Sequence, residues 1–189
     1  MRNLIITLVA VGIVVMTTAF TQVGEKFVSK NGHISFFSHT AVMDITANNY
    51  QVVSSIDVVT GKVVFSVSMQ AFEFKKSLMQ KHFNSDKYLD TKVYPKAKFI
   101  GQITNLDQID FTTDGVYDAT VEGTLNMHGV ANDVTEKGTI TINGSKVIVE
   151  ATMSVTLAKF ELAFEKGMQS KNIAKDIDIT INAEHLLKS

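Results

Sequence analysis

With no cysteine in its 189 residues, the chain has only histidines, carboxylates and hydroxyls with which to do chemistry. Its histidines are His33, His39, His82, His128 and His185. His33 and His39 fall on one face of an alternating segment, but the extended chain between them spans about 20 Å, too far to share a metal. No histidine pair has zinc spacing. His128 precedes Gly129 in a predicted turn and reads as a turn or hydrogen-bonding residue, with a polar contact to a ligand head group as the alternative. His82 falls in a helical stretch, at a rim. Asp176 and Asp178 share the polar side of one strand, where water solvates them. Glu136 falls on the apolar side of another. A lone carboxylate is costly there without a partner, so it is expected near a strand end, paired, or facing a polar group of a ligand. No Gly-x-Ser-x-Gly elbow and no Gly-rich phosphate loop is present. Asn143-Gly144-Ser145 matches a glycosylation sequon, but Asn-Gly is explained by a hairpin turn. These residues make no catalytic constellation, no metal site and no cofactor motif, and an enzyme is not expected.

A binding role then has to come from apolar surface, and the apolar pattern is that of strands. Alternating segments cover 32–40, 48–59, 62–72, 95–106, 115–129, 132–142, 145–157 and 173–185. Val147, Val149, Ala151, Met153, Val155 and Leu157 share a face opposite Lys146, Glu150, Thr152, Ser154 and Thr156. Ile177, Ile179 and Ile181 alternate with Asp176, Asp178, Thr180 and Asn182 in the same way. Such strands are dry on one side and wet on the other. Consecutive hairpins of this kind either stack as two sheets or close into one barrel, and closure removes the exposed edges. About eight strands enclose an interior wide enough for packed side chains or one small ligand. Gly101, Gly123 and Gly138 fall on the apolar register of three successive strands and are expected roughly side by side. A row of missing side chains bends a sheet or leaves space inside it; either favours a barrel.

Residues 72–89, FEFKKSLMQKHFNSDKYL, break the alternation. Phe74 and Leu78, and Met79 and Phe83, are each four apart and predict one helix with an apolar stripe. Glu73 is placed in its first turn, where the helix dipole favours a negative charge. A helix this short needs a dry surface to dock on. The open end of a barrel offers one, so Phe74, Leu78, Met79 and Phe83 are candidate lid residues. Ordinary core packing is the alternative, and docking of its basic side on a membrane surface is a third.

The first residues read as an export signal. Arg2 precedes an apolar run over 4–16, broken by Thr7 and Gly12, and small residues Thr17, Thr18 and Ala19 follow. The run is shorter than the roughly 20 residues that span a bilayer, so 1–20 is expected to be a signal peptide cleaved near Ala19 or Phe20, rather than a retained anchor. No cysteine follows it to carry a lipoprotein anchor. Removing 1–20 takes Arg2 with it and moves the formal net charge from −1 to −2. The lysines are scattered among acids, so no nucleic-acid partner is expected. Residues 21–189 show no repeat and no linker, as in a single domain whose stability comes from packing.

Two blocks carry a resemblance. One is FSVSMQAFEFKKSLMQKHFNSDKYLDTKVYPKAKFIGQI, residues 65–103; the other is YDATVEGTLNMHGVANDVTEKGTI, residues 117–140. In order and spacing they resemble the YceI-like family, and the similarity runs from Gly24 to the C-terminus. The chain departs from that pattern in having no tryptophan, with Glu25-Lys26-Phe27 in the corresponding N-terminal region, and in a loosely matching loop over 158–176. The resemblance implies an all-β fold, an eight-stranded antiparallel lipocalin-like barrel with a helical lid or plug. It implies a periplasmic or secreted bacterial protein that holds a polyisoprenoid or another long-chain apolar lipid, without stable membrane insertion of the mature domain. On that reading Phe65, Val67, Met69, Phe99, Val121, Leu125, Ile140, Val149, Met153 and Ile179 line the lumen. Methionine suits such a wall because it repacks around different chains. A cargo-free secreted barrel with an interaction or stress-related role is the alternative, and the sequence leaves homodimerisation open.

Overall fold

The computed structural model describes residues 26–188 apart from 163, 166, 167 and 170. The expected signal peptide lies outside the described residues. In chain order the elements are β1 (Lys26–His39), β2 (Asp44–Asp57), β3 (Lys62–Ser68), β4 (Glu73–Phe74), α1 (Ser77–Asn84), β5 (Lys96–Ile103), β6 (Gly115–Met127), β7 (Val130–Asn143), β8 (Lys146–Thr156), β9 (Phe164–Glu165), β10 (Met168–Gln169) and β11 (Asp176–Leu187). Single turns of 3-10 helix sit at Met69–Ala71, Leu106–Gln108 and Leu157–Phe160.

Eight strands form one antiparallel sheet in the order β1-β11-β8-β7-β6-β5-β3-β2, and a long β1–β2 ladder closes it into a barrel. β4 continues the line of β3 along β2, pairing Phe74 with Ala47. Alternation decides which side chains enter: Val63, Phe65 and Val67 of β3 are buried, while Lys62, Val64, Ser66 and Ser68 are not. The two ends differ. At one end Val52, Ile56, Val147 and Ala183 pack with at most 1% of their surface exposed. The other is the end where β4, α1 and the Leu157–Phe160 turn gather.

β1 begins at Lys26, earlier than the predicted 32. Lys30 and Asn31 are consecutive exposed residues that interrupt the alternation, and the ladders to β2 and β11 shift register there, as at a β-bulge. The strand predicted over 62–72 ends at Ser68. The turn between β7 and β8 uses Gly144 and Ser145, one place later than Asn-Gly, since Asn143 still pairs with Lys146 and Gly144 takes φ +56°. Tight hairpins favour glycine at such a φ.

The glycine row is corrected too. Gly101 and Gly123 are direct partners, but Gly138 faces Ala119 and Ala151, and Val134 faces Gly123. A Cβ on Gly123 would lie 2.4 Å from the Ile100 carbonyl oxygen, and one on Gly138 would lie 2.6 Å from that of Glu150. These two are bending points where backbones close in. Gly101 makes room instead: the Phe99 ring folds across the place its side chain would take.

Candidate ligand-binding lumen

The inside of the barrel is hollow in two adjoining chambers. An inner chamber of 160 Å³ lies within the strands. A mouth chamber of 480 Å³ lies toward α1, within the range of roughly 300–1,000 Å³ usual for small-molecule sites. Ile34, Met69, Phe72, Met127 and Ile179 belong to the walls of both, so the chambers lie against one another.

All ten residues expected in the lumen stand on the inner chamber's wall. β3 supplies Phe65 and Val67, with Met69 just beyond it; β5 supplies Phe99; β6 supplies Val121 and Leu125. Ile140 comes from β7, Val149 and Met153 from β8, and Ile179 from β11. They meet because inward positions of neighbouring strands are ladder partners: Phe65 faces Phe99, Phe99 faces Leu125, Ile140 faces Val149, and Met153 faces Ile179. Glu136 is on the same wall, half-buried, and burial holds its carboxyl above the usual glutamate range.

Phe74, Leu78, Met79 and Phe83 all border the mouth chamber, but not from one helix. Phe74 belongs to β4, and α1 begins only at Ser77. Phe72 and Phe74 alternate like the strand before them, and their side chains meet α1 instead of extending it. Glu73 consequently lies outside the helix, whose first turn holds no acid. Lys81 and His82 occupy its last turn, where the dipole favours positive charge. Phe83 is the anchor: its ring lies 4.9 Å from Phe74, 5.5 Å from Phe72 and 5.9 Å from Phe36. At the helix end Asn84 Oδ1 accepts from the buried Thr91 hydroxyl at 2.9 Å, and the Thr91 carbonyl accepts from Gln70 Nε2 at 3.2 Å. The rest of α1 is loosely held. It has no buried residue, and Leu78 is 62% exposed.

His33 and His39 are apart in use as well as distance. His33 stacks on Tyr50 and meets Asn48 Oδ1 at 3.0 Å, while His39 pairs with Asp44 at 2.6 Å on the surface. His128 takes the left-handed φ of +54° and Gly129 +78° in the two-residue turn from β6 to β7. Its ring packs on Tyr94 at 4.5 Å and its Nδ1 lies 3.3 Å from the Phe160 carbonyl oxygen. A Cβ on Gly129 would sit 2.8 Å from the Tyr94 ring. The Tyr-Pro of one sequence block and the His-Gly of the other therefore form one contact. Among the described residues no group of three or more His, Asp or Glu is placed to hold a metal.

The wall also uses residues that sequence reasoning did not select. Ile34 and Phe36 alternate with His33 and Ser35 and were open to the same argument as the others. Ile173 is in phase with Ile177 in the predicted segment 173–185, although β11 begins only at Asp176; Met43 sits in an irregular connection, where no period points it inward.

A family model described as YceI-like domain matches residues 18–185. A UPF0312 protein of Pseudomonas putida strain GB-1 is 32% identical over 107 residues, covering 53% of this chain and 50% of the relative. The chain thus spans about half the length of the curated relatives it matches. Among solved structures, Burkholderia cenocepacia BcnA is similar with a TM-score of 0.68 at 16% identity, over 81% of this chain and 95% of that one. A polyisoprenoid binding domain from Saccharophagus degradans, implicated in plant cell wall breakdown, is similar with a TM-score of 0.72 at 12% identity, over 87% and 99%. At these identities the structures establish a shared fold.

Proposed function

The chain belongs to the YceI-like domain family, and from that premise we propose that it is an exported, non-catalytic protein that holds a long apolar lipid of the polyisoprenoid type in its barrel. The carrying observation is the pair of adjoining chambers, walled almost wholly by aliphatic, aromatic and methionine side chains, the larger lying toward α1. A long apolar chain is insoluble in an aqueous compartment. Each CH₂ it moves from water into such a wall contributes roughly 0.8 kcal/mol, offset in part by the cost of ordering the chain. A barrel without cargo would gain by closing over its interior, because voids forfeit contacts on every lining atom. On this reading residues 1–20 are removed on export and 21–189 are the binding domain, in the periplasm or outside the cell. That a similar barrel is a polyisoprenoid binding domain supports the choice of lipid.

Equilibrium dialysis of the purified protein against radiolabelled geranylgeraniol tests the proposal. Saturable uptake of one molecule per chain is expected. Uptake that never saturates, or none above a protein-free chamber, would overturn it.

A further inference from the structure

The ladder between β7 and β8 stops halfway. It runs from Asn143 and Lys146 to Gly138 and Ala151. Beyond that point β7 stays laddered to β6 as far as Val130, and β8 stays laddered to β11 as far as Thr156. Residues 130–137 and 152–156 thus have no ladder to each other among the described residues. The parting begins at Gly138, where the missing Cβ brings β7 against the Glu150 carbonyl. At the far end the strands are tied again through the turn after β8: Asn132 Nδ2 donates to the Lys159 carbonyl at 2.8 Å, and His128 Nδ1 meets that of Phe160 at 3.3 Å. The result is a slot in the wall with both ends fixed.

The inner chamber reaches this slot, with Val134 and Glu136 on one side and Ala151 and Met153 on the other. Among the described residues Glu136 is the one carboxylate on that wall, and it makes no hydrogen bond or ion pair with any of them. Continued pairing would have set Met153 opposite it. Instead it looks into an apolar chamber beside strand edges whose peptide groups lack ladder partners. Lys98 and Lys137 border the chamber at alternate positions whose side chains are exposed to water, so among the described residues no cation is aimed inward to neutralise the site.

Resting on the lipid-holding reading above, we infer that this slot receives the polar end of the cargo and that Glu136 selects a hydroxyl head over a phosphate. A carboxylate accepts a hydrogen bond from a hydroxyl, and a bond to a charged acceptor is stronger than one to a neutral group. A phosphate placed there would bring a second anion into a low-dielectric space with no cation, and like charges repel most where water screens least. Burial already disfavours the one negative charge present. Lys76 and His82 stand on the rim of the mouth chamber, not on the wall of the inner one that reaches the slot.

Two probes that differ only at the head decide this: geranylgeraniol and geranylgeranyl monophosphate, measured by equilibrium dialysis on the intact protein, on Glu136→Gln and on Lys76→Ala. The unaltered protein is expected to prefer the alcohol by about tenfold or more. Glu136→Gln should narrow that preference to within about threefold, mainly by binding the phosphate better, and Lys76→Ala should leave the ranking as it was. A preference for the phosphate, equal binding of both, or a ranking untouched by Glu136→Gln would overturn the slot while leaving the lipid-holding reading intact. Failure of both probes to bind would overturn the two together. The ranking on the unaltered protein needs no variant to fold.

Discussion

Ser54 and His185 show how a polar pair survives at the packed end of the barrel. His185 is fully buried, with its ring edge-on to Phe65 at 6.4 Å. Its Nδ1 lies 3.0 Å from the Ala183 carbonyl oxygen and 3.2 Å from that of Val147, so Nδ1 donates and Nε2 accepts from the Ser54 hydroxyl at 2.8 Å. Burial pushes the imidazole below its ordinary pKa of 6.5. The folded state therefore holds fewer protons than the unfolded chain below that value, and stability must fall with pH there. The contribution is whole above pH 6.5 and drains as pH falls from there through the depressed folded value. Urea midpoints between pH 8 and pH 5 should drop, and His185→Gln should flatten that drop. Ser54→Ala strands a buried acceptor and should cost about 1–3 kcal/mol at pH 7, read from the same melts. Gly123→Ala drives a Cβ into the Ile100 carbonyl and should cost about 1–3 kcal/mol. The lumen residues were legible in the sequence because period-2 alternation states which way each side chain points. The Ser54–His185 bond was not. Its partners lie 131 residues apart, and nothing in the alternation of either strand names the other.

Among the elements, α1 is where pattern and structure part most. Apolar residues at 72, 74, 78, 79 and 83 satisfy a helical period, yet Phe72 and Phe74 also satisfy the strand period, and pairing of Phe74 with Ala47 decides between them. A local pattern cannot reveal that partner strand. The helix that remains is fastened at Phe83 and at the Asn84–Thr91–Gln70 chain of hydrogen bonds, while Leu78 hangs over the mouth. Leu78→Asp should accordingly leave the melting temperature nearly unchanged, since substitutions at exposed sites usually stay within about 0.5 kcal/mol. It should speed release of a bound lipid several-fold in a stopped-flow transfer to vesicles. Unchanged release would remove α1 from the gating of the mouth. Phe83→Ala, which empties the aromatic cluster, should cost about 2 kcal/mol and speed release as well.

At the scale of the whole molecule, one end of the barrel is filled by its own side chains and the other is left open, and the lipid-holding account depends on that asymmetry. Eight strands and their order followed from hairpins with one dry face; the hollow was less legible, because the glycine positions that pointed to space also fit sharp closure. Gly123 and Gly138 turned out to be such closures, and the space comes from where the larger side chains stop. Native mass spectrometry of the protein purified from bacterial cells, beside a Val121→Trp variant whose indole would fill the inner chamber, tests the hollow most directly. The account predicts a co-purified apolar mass on the unaltered protein, lost or reduced about tenfold in the variant while its melting temperature stays within a few degrees. A protein that leaves the membranes carrying nothing, or a variant that carries the same load, would contradict it.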